Sequence, residues 1–226
     1  SWPPADAVAP LAGPVTDNHT HLPVGGPSDA APAPDGTAAG AVPDAAELVR
    51  RAAAVGVTRV ITSACETAAW EGSLELARAL PGVRVAAAIH PNEAVAHAGV
   101  REVGPDGLEP LSEPHHAEPL DEAMSRLECL VRAHRGLVVA VGETGLDYFR
   151  AGERGRAVQR EAFRAHIALA KELGLALQIH DRDAHEDCVA VLEADGAPER
   201  TVFHCFSGGA GLAAACAEHG WYASVA

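Results

Sequence analysis

An α/β fold with a parallel sheet is predicted by two features of the sequence. Short apolar runs that end in polar residues alternate six times with helical patterns, which is typical of βαβ units. The chain of 226 residues is 48% hydrophobic, which is enough for the core of one large domain over residues 1–226. The alternation fits a sheet closed as a barrel or a sheet that is open and doubly wound.

Each strand is predicted from a short apolar run, and each helix from apolar residues that recur with the helical period. The strands are predicted at 14–23, 57–64, 83–91, 137–147, 175–184, 201–209 and 221–226. The helices are predicted at 43–56, 68–82, 120–136, 156–174, 183–196 and 210–220. The first helical pattern has typical boundaries, since it begins with Pro43 and Asp44 and stops at Gly56.

Two longer segments interrupt the alternation, and both follow the carboxyl ends of predicted strands. Segment 24–43 is rich in Gly, Ala and Pro and is predicted to be a flexible loop. Segment 92–120 contains six acidic residues and one arginine and is predicted to be a solvated loop. Its histidines His97, His115 and His116 are expected in solvent, with an adventitious metal site as the disfavoured alternative. In a barrel, both insertions would shape access to the catalytic face.

The net charge of −14 argues against a protein that grips nucleic acid through a broad basic face. Bound metal ions could still supply positive charge for a phosphate. The sequence has no apolar run of about 18 residues and no pattern of a signal peptide, so we expect a cytoplasmic protein without a membrane partner. We also expect a monomer. The five scattered cysteines indicate reduced thiols rather than a disulfide framework.

Residue types that bind metals stand at the ends of most predicted strands. His19 and His21 are two residues apart, so both imidazoles can face one side of a strand and bind one ion. The third to sixth strands end in His90, Glu143, His180 and His204. Polar side chains are costly to bury singly, and the carboxyl ends of parallel strands in a barrel meet at one face. The pattern therefore favours one shared site.

The same strand ends carry the motifs DNHTHL, IHP, GETGLDY, IHDRDA and FHCFSGG, in this order. As an ordered set they resemble the TatD family of metal-dependent deoxyribonucleases, in the amidohydrolase-like group of TIM barrels. The resemblance implies a (β/α)8 barrel that binds two divalent ions and hydrolyses phosphodiester bonds at DNA ends, often as a 3′ exonuclease. Because the chain ends within the seventh predicted strand, we expect a barrel truncated after strand seven.

The resemblance also implies a role for each matched residue. His19 and His21 would bind one ion. His180 and His204 would bind the second ion, and Glu143 would bridge the two and take part in catalysis. Mg²⁺, Mn²⁺ and Zn²⁺ are the candidate ions, since imidazole and carboxylate ligands suit such pairs. The family's aspartate after strand eight, a ligand and general base, is expected beyond residue 226.

Two neighbouring residues are predicted to contact the substrate. His90 resembles the family's histidine on strand three and is expected to be catalytic, contacting the scissile phosphate or a metal-bound water. Arg182 could bind a phosphate with two nitrogens, but pairing with Asp147 or Asp183 is an equal alternative. Asp147 is otherwise expected to fix the loop after strand four.

Three other side chains near the motifs are given supporting roles. Asp17 is expected to orient a ligand histidine. Cys205 follows a predicted ligand, and adjacent strand residues face opposite sides, so it is expected to pack against the helices. Cys65 ends the second strand and is expected to be a buried small apolar residue.

Two alternatives to a deoxyribonuclease remain open. An amidohydrolase that cleaves a C–N or a lactone bond would share the strand-end histidines, but many such enzymes bridge their ions with a carboxylated lysine. The fourth strand has Glu143 and no lysine there, which favours the nuclease. A metal-binding protein without catalysis is disfavoured by the intact ligand set. With a charge of −14, DNA would be bound mainly through the ions and Arg182.

Overall fold

The structure is a computed structural model that describes residues 8–24 and 43–225. The predicted flexible loop at 24–43 therefore lies, apart from its two end residues, outside the described residues. No helix among the described residues is long and apolar enough to cross a membrane.

The strands form a sheet in which neighbours follow the order of the chain. They are β1 (Val15–Thr20), β2 (Val57–Ala64), β3 (Val83–Ala87), β4 (Val138–Asp147), β5 (Ala176–Arg182), β6 (Thr201–Phe203) and β7 (Tyr222–Ala223). The hydrogen-bonded order runs from β1 to β7, and β1 with β2 and all pairs from β4 to β7 are parallel. A doubly wound sheet would reverse its strand order, whereas a TIM barrel keeps it. The predicted α/β barrel class is confirmed.

All six predicted helices are present, and the described residues contain one further α-helix at Pro91–His97. The helices are α1 (Ala45–Ala54), α2 (Trp70–Ala79), α3 (Pro91–His97), α4 (Leu120–Ala133), α5 (Glu153–Leu173), α6 (His185–Asp195) and α7 (Ala210–His219). The prediction of a plain loop at 92–120 is wrong, because α3 and a 3₁₀ helix at Pro114–Ala117 lie there. Helix α3 begins because the His90 ring accepts the Asn92 N–H and Pro91 fixes a helical φ angle.

The prediction that the histidines of this segment lie in solvent is also wrong. His97 is 5% exposed, and the side chain of His116 is 3% exposed. The reason is that α3 and the 3₁₀ helix pack against each other, which encloses the rings that an extended loop would have left in water.

The described residues form two compact units. The first comprises the residues up to Ser63 together with Glu71–Val85. In this unit β1 runs parallel to the first part of β2. Helix α1 is capped by Asp44, whose carboxylate accepts the Glu47 N–H and so satisfies one free donor of the first turn. Leu74 on α2 is fully buried.

The second unit comprises Ala64–Trp70 and all residues from Ala86 onward. Strands β4 to β7 run parallel in it, and the long helix α5 packs against β4. Phe163 and Ile167 on α5 are buried together with Leu146 on β4, so this face of α5 forms much of the core.

Candidate metal centre

The carboxyl end of β4 is shaped to project Glu143. Gly142 pairs with Gln178 and Thr144 with the next residue of β5, so Glu143 is the extra residue of a β-bulge, a device that re-aims a side chain. The flanking glycines allow close approach to β5. A Cβ atom at Gly142 would lie 2.5 Å from the Cβ of Gln178, and one at Gly145 would collide with the His180 carbonyl oxygen.

Two histidines and one thiol converge on the buried carboxylate of Glu143. His180 Nδ1 lies 2.7 Å and His204 Nε2 lies 2.5 Å from the same oxygen, Oε1. The Cys65 thiol donates to the other oxygen, Oε2, over 3.3 Å. Cys65 directly follows β2 and is half-buried, and its polar contact with Glu143 was not predicted. Loss of hydration raises the pKa of this thiol well above its usual value.

The charges at this cluster are set by competition between burial and pairing. Burial opposes ionisation of Glu143, but the contacts with His180 and His204 outweigh it and hold the carboxyl pKa well below its usual value. Burial also disfavours a charged His180, yet Asp147 and Glu143 together raise its pKa to about 9. The cluster therefore holds a carboxylate beside a protonated imidazole at neutral pH.

Asp147 binds the far side of the His180 ring, with Oδ2 3.2 Å from Nε2. The same oxygen accepts the Asn92 side-chain N–H over 3.0 Å, and Oδ1 accepts the Arg150 backbone N–H. The predicted role in fixing the loop after β4 is thus present in the Arg150 contact. The contact with His180 was not predicted, and it gives Asp147 a second task, that of orienting the imidazole.

His90 is placed as a hydrogen-bond donor. Its Nδ1 accepts the Asn92 N–H over 3.1 Å, so in the neutral ring Nε2 carries the proton. That nitrogen lies 3.8 Å from Glu143 Oε1, and the ring centroid is 4.4 Å from that of His180. Burial lowers the pKa of His90 to about 4, which keeps the ring neutral.

These side chains have the donor set that a divalent ion needs. Ligand atoms of His90, Glu143 and His180 all lie within 4.8 Å of one another. The His180 and His204 nitrogens that point at Glu143 Oε1 are those that would face an ion held beside this carboxylate. Nitrogen donors with one carboxylate suit Zn²⁺ and related ions.

His19 and His21 lie in the first unit, at and just beyond the end of β1. Their ring centroids are 5.1 Å apart in an edge-to-face arrangement. Asp17 Oδ1 accepts the backbone N–H of His19 over 3.1 Å, and its role in orienting a ligand histidine stays a prediction. The His19 Nδ1 atom instead lies 3.1 Å from the Ser63 hydroxyl, which belongs to the adjacent strand β2.

The exits of β5 and β6 correct the alternative given for Arg182 and the predicted packing of Cys205, whereas a phosphate contact of Arg182 stays a prediction. Arg182 is exposed, and its guanidinium lies 4.1 Å above the Phe149 ring, whereas pairing with Asp147 or Asp183 was the expected alternative. Cys205 is exposed and has φ 43°, so it does not pack against the helices. Strand β6 already ends at Phe203, and the alternation of a strand does not extend into the following turn.

Two residues that support the site were missed in the sequence. Gln159 on α5 is fully buried, accepts the Asp147 N–H and donates to the Asp147 carbonyl oxygen. Asn92 links His90 to Asp147. The available signal was a polar residue within the apolar face of α5, since Gln159 precedes the buried Phe163 by one helical turn.

Comparison with known proteins matches these features to one family. A family model described as "TatD related DNase" matches residues 16–226. The metal-dependent hydrolase TatD of Mycobacterium tuberculosis is 38% identical over 93% of this chain and 68% of its own length. The Salmonella typhimurium protein named "3'-5' ssDNA/RNA exonuclease TatD" is 29% identical over 80% of this chain and 61% of its own length.

A solved structure supports the same assignment. The Escherichia coli TatD homologue YJJV superposes with a TM-score of 0.61 at 27% identity, over 77% of this chain and 59% of its own. The chain thus spans about three fifths of the length of two of these relatives and two thirds of the third. The strand order, the Glu143 cluster and the family match agree, and the chain belongs to the TatD family of metal-dependent hydrolases.

Proposed function

We propose that this chain is the catalytic region of a divalent-metal-dependent enzyme that hydrolyses phosphodiester bonds at DNA ends, as a 3′ exonuclease. The observation that carries the proposal is the convergence of His180 Nδ1 and His204 Nε2 on Glu143 Oε1. Support also comes from relatives named as exonuclease or deoxyribonuclease. The glutamate at the bridging position favours phosphodiesters over amides or lactones.

The proposal retains the predicted ligand assignments. His19 and His21, whose rings lie 5.1 Å apart within the first unit, would hold one ion. His180 and His204 would hold the second ion, and Glu143 would supply the carboxylate for the pair. Bound Mg²⁺, Mn²⁺ or Zn²⁺ would polarise the scissile phosphate and lower the pKa of an attacking water.

The protein's own side chains bind and orient the reacting groups. His90 presents Nε2–H beside Glu143, where it can donate to a phosphate oxygen without adding charge, since burial keeps the ring neutral. Asp147 holds the His180 ring by its far nitrogen. The Cys65 thiol donates to Glu143 Oε2 and so fixes the carboxylate plane.

Arg182 supplies the local positive charge for the DNA backbone. It is exposed at the carboxyl end of β5, and stacking on Phe149 limits the freedom of its guanidinium. The chain is otherwise strongly acidic, with a net charge of −14, so affinity for DNA would depend on bound ions more than on the surface.

A direct assay tests this proposal. The protein is incubated with single-stranded DNA labelled at the 5′ end, in Mg²⁺, Mn²⁺ or Zn²⁺, and in parallel with panels of amides and lactones. We expect a ladder of DNA products shortened stepwise from the 3′ end, and no turnover of the other substrates.

The matched control is Glu143→Gln, which keeps the size of the side chain and removes its charge. It should fold, as judged by circular dichroism, and release no nucleotide. Turnover of an amide or lactone without DNA cleavage would instead establish the amidohydrolase alternative. Metal binding with no turnover at all would point to a non-catalytic metal-binding protein.

A further inference from the structure

A second group of metal-binding side chains lies in segment 92–120, away from the strand ends. We call it the insertion cluster, and its members are Glu93, His97, His115 and His116. One ligand atom of each lies within 4.8 Å of those of the others. Histidine and carboxylate donors that lie this close together are the set that Zn²⁺ binds in proteins, at about 2.0–2.2 Å per ligand.

Local secondary structure brings these residues together. Glu93 and His97 are four residues apart on α3, so they share one face of the helix. His115 and His116 are consecutive on the 3₁₀ helix, and the Nε2 atom of each lies 2.8 Å from Glu93 Oε2. The His97 ring centroid is 4.9 Å from that of His116 and 5.8 Å from that of His115.

The environment of His97 indicates that an ion binds in this cluster. It is 5% exposed, and its Nδ1 lies 2.7 Å from the carbonyl oxygen of Glu118, so Nδ1 carries the proton. The other nitrogen, Nε2, is buried and has no hydrogen-bond partner among the described residues. A buried lone pair without a partner is costly. Histidines that bind metals have this arrangement, with the far N–H held by a carbonyl or a carboxylate.

The hydrogen bonds separate His116 from the other members. Its Nδ1 accepts the Glu113 backbone N–H over 2.8 Å, so its Nε2 carries the proton and donates to Glu93. His116 therefore holds the Glu93 carboxylate in place. His115 Nε2 also donates to Glu93, but its Nδ1 has no hydrogen-bond partner among the described residues, so this ring can carry its proton on Nδ1 and give Nε2 to an ion. The groups that can face an ion are therefore the Glu93 carboxylate and the Nε2 atoms of His97 and His115.

We propose that the insertion cluster is a second metal site, of the zinc class, with Glu93, His97 and His115 as ligands and His116 as the residue that positions Glu93. Three protein ligands leave one coordination position for water. The ion would join α3 to the 3₁₀ helix and so hold the insertion next to His90, which is the residue immediately before α3. Val103, Leu108 and Leu111 of this segment are exposed, so apolar packing does little to hold its middle part.

The experiment measures the zinc bound to variants that lack the metal centre at the strand ends. We call this centre the strand-end cluster, and it consists of Glu143, His180 and His204. The double variant Glu143→Gln with His204→Gln is incubated with Zn²⁺ at a few micromolar, passed over a desalting column and analysed by mass spectrometry for metal. We expect about one zinc per chain to remain. Adding His97→Gln should remove it, whereas adding His219→Gln, a surface histidine on α7 paired with Glu193, should not.

Two further variants show whether a loss of zinc is due to misfolding, and they distinguish a metal ligand from a residue that positions a ligand. His115→Gln, at a side chain that is 17% exposed, should lose the ion as His97→Gln does. His116→Gln should weaken zinc affinity by about 10–100-fold without abolishing it. Zn²⁺ should raise the unfolding temperature of the double variant and not of the variants that lack His97 or His115.

The proposal is overturned if the double variant retains no zinc at micromolar concentration. It is also overturned if His97→Gln and His115→Gln bind as much zinc as their parent does. Either result would mean that the four side chains form only a hydrogen-bonded cluster.

Discussion

Two clusters in the second unit combine one carboxylate with several histidines, and they are built in different ways. In the strand-end cluster, Glu143 on β4 meets a histidine that is 37 positions away on the next strand. In the insertion cluster, Glu93 on a short helix meets His115, 22 positions away on a 3₁₀ helix. The sheet holds the residues of the strand-end cluster in place. The insertion cluster instead links two short helical elements by its own contacts.

The clusters also differ in the group that binds the histidine nitrogen pointing away from the cluster. Asp147, a carboxylate, binds His180, and it helps to raise the pKa of that ring to about 9. A neutral carbonyl oxygen, that of Glu118, binds His97, and burial keeps the pKa of this ring below its usual value. An ion that enters the strand-end cluster must therefore displace a proton, whereas His97 offers a free lone pair. Two buried histidines can thus have opposite protonation states because the neighbouring group is a carboxylate in one case and a carbonyl in the other.

The largest expected effect is on the rate of hydrolysis, which should depend on the strand-end cluster and not on the insertion cluster. Glu143→Gln should lower the rate of hydrolysis by about 10³-fold or more, because both strand-end histidines lose their shared carboxylate. Glu93→Gln is the matched variant and should leave hydrolysis within a few-fold of the parent. Turnover rates at saturating metal decide between them, and a comparable loss in both variants would show that the clusters act as one site.

A histidine that belongs to neither cluster tests the role of burial alone. His166 on α5 is fully buried, accepts the Ile89 N–H and contacts no carboxylate among the described residues. Burial lowers its pKa to about 4, whereas the unfolded ring titrates near 6.5. Its contribution is therefore complete above pH 6.5 and is lost as the pH falls towards 4, because only the unfolded state gains the proton.

Urea denaturation should detect this contribution. Between about pH 7 and about pH 4.5, the parent should lose about 2 kcal/mol more of its free energy of unfolding than His166→Gln does. The variant serves as the control for the carboxylates, which titrate in both proteins. An equal loss in parent and variant would mean that the buried ring accepts a proton in the folded state.

The contribution of Asp147, which binds Nε2 of His180, can be tested by itself. Asp147→Asn should lower metal affinity or activity by about 10–100-fold, since the amide still accepts the Arg150 N–H but binds the His180 ring more weakly. Activity is measured as a function of metal concentration. Asp121→Asn, at an exposed position in the first turn of α4, is the control. If both variants have the metal dependence of the parent, Asp147 does not orient His180.

The smallest expected effect concerns the substrate. Arg182→Gln should raise the KM for single-stranded DNA a few-fold and reduce the slope of log affinity against log salt by about 0.7, the value for one phosphate contact. Arg200→Gln, at the amino end of β6, should change neither, because that end of the strand is opposite to the cluster. A slope that is unchanged in Arg182→Gln would exclude the phosphate contact.

The strand-end cluster could be predicted from the sequence because strands impose a regular pattern. Each strand ends where apolar residues give way to polar ones, so His180 and His204 could be located without a structure. The α/β class followed from the same alternation. The contact between Asp147 and His180 was missed because it depends on the register of β4 against β5, which the bulge at Glu143 shifts.

The insertion cluster could not be predicted in the same way. Segment 92–120 has many acidic residues and no regular apolar pattern, so its histidines gave no sign of burial. What encloses them is α3, which is short and begins with the His90 cap and Pro91. A helix of two turns carries too few apolar positions for its period to stand out. Its boundaries depend on capping, which single residues decide.

The length of β4 is critical for the position of the Glu143 carboxylate. Loops between strands and helices tolerate added or deleted residues, but a single deletion between Val138 and Gly142 would exchange the two faces of β4 beyond that point. The carboxylate would then point to the opposite face of the strand, and so would the buried side chain of Leu146. A change in the length of β4 would therefore remove the carboxylate from the metal centre, whereas a change in the length of a connecting loop would leave it in place.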